Sequence, residues 1–359
     1  MMKVKFSQLR RIMISCVKAR LPLLIVGGPG IAKTALTRSV AAELDADFLL
    51  STPSTEDPTV PAGFPWASAD KDEAFFKPFG NLARALKATK LTIWLLDDFG
   101  QALDPVQSAY MPLLQGNTPD GRKIPDCVVF VLCTNRRTDR AGMRGILEPV
   151  KSRCAVIVEL VPDVDEWCAW AIQQPWMPPE MVAYHRFSSG KGRGEKFPED
   201  VGMLYQFTPS ADLINCPLPR TWERAARVYA QGDLPAFELQ VALAGAVGED
   251  AANDYLAFVR MFKELPSVDG ILLDPDAAKI PQELSVLYSV ATAIAAKTTD
   301  ANFSRVARYA ERMVDAGYGE FAALMIRDAT RRRPSVQQTT AFVKLAAGEL
   351  GRLIGGATD

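Results

Sequence analysis

A four-residue apolar run, Leu-Leu-Ile-Val at positions 23–26, leads directly into positions 27–34, which read Gly-Gly-Pro-Gly-Ile-Ala-Lys-Thr. This order predicts a buried strand, a tight turn and the start of a helix, because glycine adopts backbone conformations that other residues rarely reach. Such a turn directs backbone N–H groups inward, and the following helix adds the positive end of its dipole. The segment therefore predicts a phosphate-binding loop beside a strand of an α/β sheet.

Two side chains of this loop have specific chemistry toward a nucleotide. Lys33 is placed to reach the outer phosphates, and the Thr34 hydroxyl is placed to bind Mg²⁺. Ala32 departs from the common pattern, which has a second glycine at this position. The residues expected to hold the nucleotide are Gly28, Pro29, Gly30, Ile31, Ala32, Lys33 and Thr34.

Four more apolar segments, separated by helical stretches, predict the other strands of a parallel sheet covered on both faces. They are residues 48–50, 92–96, 128–132 and 155–160. After residue 162 the strand pattern stops and helical periodicity continues. The predicted fold class is α/β, with a P-loop parallel-sheet αβα core (1–162), a small helical lid domain (163–264) and an all-α C-terminal extension (265–359).

Composition narrows the class of protein further. The formal net charge of −1 gives no general electrostatic reason to bind nucleic acid or an anionic membrane. No run of about 20 apolar residues is available to span a bilayer. The six cysteines form no CxxC pair, which favours a reducing, cytoplasmic location. The single histidine, His185, cannot build a histidine-rich metal site and is expected to be a surface or structural residue.

Polar side chains follow the third and fourth predicted strands. Asp97 and Asp98 come directly after residues 92–96, and buried carboxylates are costly without a cation or hydrogen bonds. Asp97 is placed to hold Mg²⁺ through water beside Thr34, and Asp98 to orient and polarise an attacking water. Asn135, after the fourth strand, offers an uncharged amide to a γ-phosphate, although asparagine is also a common turn residue.

Two arginines add candidate groups for phosphate chemistry. Arg153 directly precedes the fifth predicted strand, and Arg220 begins a predicted helix in the second region. Guanidinium groups stabilise the charge that spreads over a transferring phosphoryl group. Taken alone, each arginine has the ordinary interpretation of a solvated surface residue.

In their order along the chain, these segments resemble the Walker A, Walker B, sensor 1, arginine finger and sensor 2 motifs of AAA+ ATPases. The MoxR-like branch is the most similar, because its phosphate loops often carry Ala-Lys where this chain has Ala32-Lys33. Residues 121–126, 134–136 and 139–142 also resemble that branch, and the likeness covers roughly residues 5–230. The motifs are residues 27–34, Asp97-Asp98, Asn135, Arg153 and Arg220.

The resemblance implies ATP and Mg²⁺ as cofactors and a homo-oligomeric ring, a hexamer. Asn135 and Arg220 would serve the same subunit's nucleotide, whereas Arg153 would reach the neighbour's γ-phosphate. Family members usually have Glu where this chain has Asp98, so we expect slow hydrolysis or a water held closer to the shorter acid. The competing finger candidates are Arg136, Arg137, Arg140 and Arg144.

Two segments have patterns that suit contact with a target. An aromatic insertion at residues 63–66 and 75–79 either packs locally under a loop or, as the resemblance implies, faces the pore or the substrate. Residues 117–126, with an Asp-Gly turn, predict a hairpin that the resemblance also places near the pore. The basic run at residues 331–333 favours a solvated helix end over a site for phosphate or an acidic partner.

The leading functional hypothesis is a MoxR-like ATPase that remodels or activates a partner protein. Members of that branch commonly act beside proteins with a von Willebrand factor A domain. The main alternative is a nucleic-acid-associated AAA+ ATPase, clamp-loader-like or helicase-loader-like, because clamp loaders share Ser152-Arg153-Cys154. A third hypothesis is a nucleotide-gated scaffold that binds ATP and barely hydrolyses it, which the shorter Asp98 keeps open.

Overall fold

The predicted α/β fold class is confirmed by the computed structural model, which describes residues 1–68, 73–139, 144–189, 201–210, 212–263 and 267–355. Arg140, one of the competing finger candidates, lies outside these residues, as do residues 141 and 142 of the similar segment. The strands are β1 (Lys3–Val4), β2 (Leu23–Gly27), β3 (Asp47–Ser51), β4 (Phe64–Ala67), β5 (Ala74–Lys77), β6 (Thr92–Leu96), β7 (Val128–Thr134) and β8 (Val156–Leu160).

The helices separate the strands of the first part of the chain and form nearly all the regular structure of the second part. They are α1 (Phe6–Lys18), α2 (Lys33–Glu43), α3 (Thr59–Ala62), α4 (Gly80–Ala85), α5 (Asp104–Leu114), α6 (Glu148–Lys151), α7 (Val164–Ala171), α8 (Pro179–Ser188), α9 (Pro219–Tyr229), α10 (Ala236–Val247), α11 (Glu249–Lys263), α12 (Val268–Leu273), α13 (Leu284–Lys297), α14 (Phe303–Asp315), α15 (Gly319–Arg332), α16 (Thr340–Ala347) and α17 (Glu349–Gly355).

The main sheet has the strand order β1-β8-β2-β7-β6-β3 among the described residues, and each neighbouring pair is parallel. Every residue of β6 and β7 is buried, as expected of central strands covered on both faces. The order places β2 between β8 and β7. The carboxyl ends of β2, β7 and β6 therefore lie side by side, and the segments that follow them meet at one edge of the sheet.

Aromatic packing fixes part of the core on the β6–β7 side of this sheet. Trp94 of β6 is fully buried, with its ring centroid 5.3 Å from that of Phe130 on β7 and 6.3 Å from that of Tyr110 on α5. The Trp94 indole N–H donates to the Ser51 hydroxyl at 3.1 Å. These contacts hold α5 against the strand that ends just before Asp97.

The aromatic insertion forms a separate two-stranded antiparallel sheet, β4–β5, whose eight residues are all exposed. The aromatic side chains of Phe64, Trp66 and Phe75 are 53, 50 and 48% exposed, so the structure does not bury them under a loop. The hairpin predicted at residues 117–126 is reduced to a turn with one antiparallel bridge, between Asn117 and Lys123.

The chain divides into two compact units, Met1–Pro162 with Phe207–Ala211, and Asp163–Gln206 with Asp212–Asp359. In the second unit, α8 packs against α13, and Arg186 of α8 forms a buried ion pair with Asp328 of α15. The division of this helical part at residue 265 stays a prediction. None of the helices in the described residues is long and apolar enough to cross a membrane.

Candidate functional site

The glycine-rich turn after β2 brings the phosphate-loop backbone into an unusual conformation. Gly30 and Ala32 both have a φ of 70°, in the left-handed region that favours glycine. Ala32 is the N-cap of α2, so its left-handed backbone sets the direction in which the first turn of that helix leaves the loop. The conformation explains why a glycine is the common residue at this position. Alanine still reaches this conformation, at a cost of about 1 kcal/mol.

Gly27 is required by a close approach rather than by its dihedral angles. A Cβ at this position would lie 2.9 Å from the Leu160 carbonyl oxygen and 2.7 Å from Ile31 Cδ1. The backbone of β2 therefore passes β8 with no room for a side chain just where the loop begins.

Lys33 is buried at the centre of the candidate site. Its Nζ donates to the carbonyl oxygens of Gly27 and Gly28 and to Asn135 Oδ1, each at 2.9 Å. The first two contacts fold the lysine back over its own loop, and the third joins the loop to the end of β7. Only 8% of Lys33 and 7% of Asn135 is exposed, so these polar groups interact away from bulk water.

Thr34 and Asp97 form the second link between the loop and the sheet edge. The Thr34 hydroxyl donates to Asp97 Oδ2 at 2.6 Å. The Asp97 amide donates to the Ser51 carbonyl at 2.9 Å, which fixes the chain at the end of β6. A hydroxyl and a carboxylate so close together are two hard oxygen ligands of the kind Mg²⁺ prefers, so Thr34 and Asp97 would hold that ion.

Asp98 lies in the turn that follows β6, with its backbone in the left-handed region at φ 52°. Its amide donates to Asp97 Oδ1 at 3.1 Å, and Gln101 Nε2 lies 3.5 Å from Asp98 Oδ1. The Gln101 contact was not predicted from the sequence. Its only signal in the sequence is that Gln101 comes three residues after Asp98. Because Asp and Asn enter the left-handed region more easily than Glu, the backbone gives a physical reason for the shorter acid here.

Cys133 lies beneath these groups and contributes no charge to them. It is fully buried in β7, next to Thr134 and Asn135. Burial, and then the nearby Asp97 carboxylate, raise the pKa of the Cys133 thiol far above its usual value, with Lys33 opposing the effect. The thiol therefore stays protonated, and it packs as a small apolar group.

Arg153 lies at the opposite edge of the sheet from the phosphate loop. It follows α6 and precedes β8, whose first residue, Val156, is paired with Leu23 at the start of β2. The Ala155 amide donates to the Pro22 carbonyl at 2.9 Å, which fixes this edge. Because β2 is five residues long, Arg153 is separated from its own loop by about 13 Å of strand.

The other described finger candidates differ in their surroundings. The Arg136 guanidinium forms ion pairs with Asp139 at 2.9 Å and with Glu159 at 3.7 Å. Both partners belong to its own chain, so Arg136 is already paired within its subunit. Arg137 and Arg144 are exposed. Arg153 is half-buried, and its Nη1 donates to the Pro149 carbonyl.

Arg220 belongs to the second compact unit and is the second residue of α9. Two neighbours fix this helix end. The Thr221 hydroxyl accepts a hydrogen bond from the Leu218 amide at 2.8 Å, and the buried Trp222 indole N–H donates to the Met203 carbonyl at 2.6 Å. The structure therefore gives Arg220 a firmly anchored backbone. The cluster of Lys33, Thr34, Asp97, Asp98 and Asn135 is formed by the first unit alone.

No protein-family model and no curated protein sequence matches the chain. Among solved structures, a mutant RuvB of Thermotoga maritima aligns over 80% of this chain and 81% of its own, with a TM-score of 0.42 and 12% identity. RuvB of the same organism, described as a Holliday junction branch migration motor, aligns over 87% of each chain, with a TM-score of 0.38 and 15% identity. NtrX from Brucella abortus, in complex with ADP, aligns over 93% of this chain and 68% of its own, with a TM-score of 0.39 and 13% identity.

Proposed function

We propose that the chain is an AAA+ ATPase of the MoxR-like type, which binds and hydrolyses Mg-ATP. One observation carries the proposal: two consecutive loop residues, Lys33 and Thr34, each contact a polar residue that directly follows another strand of the same sheet. Those contacts are Lys33 to Asn135 at 2.9 Å and Thr34 to Asp97 at 2.6 Å. A cation, a hydroxyl, a carboxylate and an amide are thereby gathered beside a helix N-terminus, the set of groups that phosphoryl transfer needs.

Each group has a distinct role in this proposal. The N–H groups of residues 28 and 30–34 and the Lys33 ammonium would hold the phosphates, and Thr34 and Asp97 would hold Mg²⁺, which would neutralise charge on the phosphate oxygens. Asp98 orients a water for attack on the γ-phosphorus. Asn135 donates its amide to the γ-phosphate, and Lys33 exchanges one of its three contacts in the structure for a phosphate oxygen.

The position of Arg153 supports a nucleotide site shared between subunits; the family resemblance supplies the ring, a hexamer, as the assembly. Arg153 precedes β8 beside the amino end of β2, about 13 Å of strand from its own loop, which favours contact with the loop of an adjacent subunit. In this arrangement Arg153 stabilises the transferring phosphoryl group of the neighbour, and Arg220 acts on its own subunit's nucleotide from the helical lid. Hydrolysis then requires assembly.

The exposed β4–β5 hairpin supports a protein as the target. Its aromatic side chains form an apolar surface, and solvent-exposed aromatic clusters of this kind mark contact sites for other molecules. Arg122 Nη2 donates to the Phe76 carbonyl at 2.7 Å, which joins β5 to the turn that contains the Asn117–Lys123 bridge. We propose that the two segments together contact a partner protein, with a von Willebrand factor A domain protein as the candidate that the family resemblance supplies.

A nucleic-acid-associated ATPase is the alternative function, because exposed aromatic rings also stack on bases. One observation favours it: Lys77 Nζ lies 4.8 Å from the centre of the Trp66 ring, so a cation stands beside a stacking surface. The two functions differ in what stimulates turnover.

The test is ATP turnover by the purified chain across a range of protein concentrations, with Lys33→Ala as the control that removes the phosphate contact. We expect Mg²⁺-dependent turnover that rises with assembly and is lost in Lys33→Ala. Absence of ATP binding by the wild-type chain would contradict the proposal. Stimulation by single-stranded DNA or RNA, abolished by Trp66→Ala, would establish the alternative.

A further inference from the structure

Gln107 is a fully buried polar side chain that has no role in the proposed chemistry. It lies on α5 and joins two segments that are far apart in sequence. Its Nε2 donates to the Ala102 carbonyl at 3.1 Å and to the Gly145 carbonyl at 2.9 Å. Its Oε1 accepts from the Leu147 amide at 3.1 Å. A neutral amide suits this position, because one planar group supplies two N–H donors for the carbonyls and an oxygen that accepts from the Leu147 amide.

A second pair of hydrogen bonds reinforces this connection. The Gly100 carbonyl accepts from the amides of Arg144 and Gly145, at 3.0 and 3.1 Å. Gly100 is two residues after Asp98 in the same turn. Residues 144–147 are thus bound along their length to the turn that carries the proposed catalytic acid and to the first part of α5.

The bound segment leads directly to Arg153. Leu147 is the N-cap of α6, and Val150 of this helix is fully buried. The Arg153 amide then donates to the Val150 carbonyl at 3.1 Å. The hydrogen bond between Ala155 and Pro22 fixes the end of this segment that leads into β8. The Gln107 contacts fix its other end, at residues 145–147, and thereby the position of α6.

We propose that Gln107 is a positioning residue for Arg153, placing the arginine for the neighbouring subunit's nucleotide and tying it to the turn that holds Asp98. The inference rests on the proposed ring ATPase. Through Gln107, the turn beside one nucleotide is physically linked to the arginine that serves the next site. Gln107 itself contacts no nucleotide.

Mixing two inactive variants tests this role. Asp98→Asn subunits supply Arg153 but lack the acid, and Arg153→Ala subunits supply the acid but lack the arginine. Mixed rings contain interfaces that have both groups, so the mixture should recover turnover. Gln107→Met, which keeps the side chain's length and loses both kinds of hydrogen bond, is then added to one partner at a time.

The position of the added variant decides the outcome. When Gln107→Met is added to the Asp98→Asn subunit, which donates the arginine, we expect the recovered turnover to fall about tenfold or more. When it is added to the Arg153→Ala subunit, which donates the acid, we expect the recovered turnover to fall less than about twofold. Equal losses in both positions, or no loss in either, would overturn the positioning role and leave the shared site intact. No recovery in the parent mixture would overturn the shared site itself, and this inference with it.

Controls separate positioning from folding. Gln115→Met, at the exposed C-cap of the same helix, should leave the recovered turnover unchanged. Gln107→Met leaves buried partners unpaired, so its stability should fall, but each Gln107 variant should still unfold cooperatively above the assay temperature and bind ATP as tightly as its parent. If Gln107→Met fails to fold, Gln107→Glu carries the same test, because it retains the oxygen facing the Leu147 amide and loses the N–H donors to the Ala102 and Gly145 carbonyls. A loss confined to the arginine-donating subunit supports the role, and any other distribution overturns it.

Discussion

Lys33 Nζ and Asn135 Oδ1 are joined by a 2.9 Å hydrogen bond, although 102 residues separate the two in the sequence. They meet because β2 and β7 are parallel neighbours with Val26 paired to Thr134, so the residues that follow each strand lie side by side. The bond fixes the Asn135 oxygen toward the lysine and thereby determines where the amide nitrogen points. In the proposed function this nitrogen contacts the γ-phosphate.

Replacing Asn135 with Ala should therefore damage catalysis more than binding. Lys33 keeps its two carbonyl partners, so we expect ATP affinity to change only a few-fold, whereas loss of a donor to the transferring group should lower turnover about 100-fold. Steady-state turnover and nucleotide titration measure the two effects. Asn117→Ala, on an exposed turn, is the matched control and should change neither. Unaltered turnover in Asn135→Ala would remove this residue from the proposed site.

Asp98→Asn should separate binding from hydrolysis. Asparagine tolerates the left-handed backbone at φ 52° as well as aspartate does, so the variant should fold normally and bind ATP. Turnover should fall by about 1,000-fold if the carboxylate orients and polarises the attacking water. A single-turnover assay with ATP titration checks both expectations, and normal hydrolysis by the variant would exclude Asp98 from the role.

The reciprocal change, Asp98→Glu, restores the acid that the related family usually carries. We expect it to cost about 1 kcal/mol of unfolding free energy, because glutamate enters the left-handed region less readily. Chemical denaturation compared with Asp98→Asn measures this cost. Equal stability of the two variants would show that the backbone conformation does not explain the aspartate.

Gly27→Ala should disrupt the site through packing alone. The new Cβ would lie 2.9 Å from the Leu160 carbonyl oxygen, so β2 and β8 must separate, and the Gly27 carbonyl that binds Lys33 must move. We expect destabilisation of about 1–3 kcal/mol together with weaker ATP binding. Gly245→Ala, at a helical position where a Cβ meets nothing within 4 Å, should be neutral or slightly stabilising. Similar stability of the two variants would contradict the argument.

The order of chemical groups along this chain predicts the arrangement of strand ends well. Glycines, paired acids and an amide each follow an apolar run. Because parallel strands share one carboxyl edge, local sequence is enough to bring Lys33, Asp97 and Asn135 together. The left-handed backbones of Ala32 and Asp98 could not be predicted, because neither residue is a glycine and the strain is imposed by the surrounding chain.

The sequence does not reveal elements whose side chains do not alternate between buried and exposed positions. The β4–β5 hairpin has no buried face, so period-two patterning is absent. Helix α8 has no clear amphipathic pattern, because it is buried on most sides and carries Arg186 inside, where helical patterning expects an apolar residue. Its partner, Asp328, lies 142 residues further along the chain and has no local signature. Long-range pairing of this kind is invisible in the sequence.

Trp66→Ala should separate ATP turnover from action on a partner. The side chain is half exposed, so we expect less than about 0.5 kcal/mol change in stability and unchanged basal turnover. Partner-stimulated turnover and remodelling should fall, because the largest ring of the hairpin surface is removed. Phe237→Ala, exposed on α10, is the control for loss of an apolar surface group elsewhere. Parallel losses of stability and basal turnover would instead indicate that Trp66 packs against the core.

His185 should make the chain less stable in acid. It is fully buried, its two ring nitrogens have no hydrogen-bond partner among the described residues, and burial lowers the pKa of His185 to about 3. The edges and faces of Trp167 and Trp222 surround the ring, with centroids 4.7 and 4.5 Å away. The folded state therefore keeps a neutral imidazole, whereas the unfolded state binds a proton below about pH 6.5.

The sign of the pH effect follows from this difference. Above pH 6.5 neither state binds the proton and His185 adds no pH dependence; as pH falls from 6.5 toward 3, only the unfolded state gains the proton, so stability is lost. His185→Phe keeps an aromatic ring in the aromatic pocket and removes the titration. As pH falls from 7 to 5, the wild type should lose about 2 kcal/mol of unfolding free energy that His185→Phe keeps. The difference in unfolding free energy, variant minus wild type, should therefore be about 2 kcal/mol larger at pH 5 than at pH 7. Urea unfolding at the two pH values measures this double difference, and since His185 is the chain's only histidine, a value near zero would mean that its ring is not buried in neutral form.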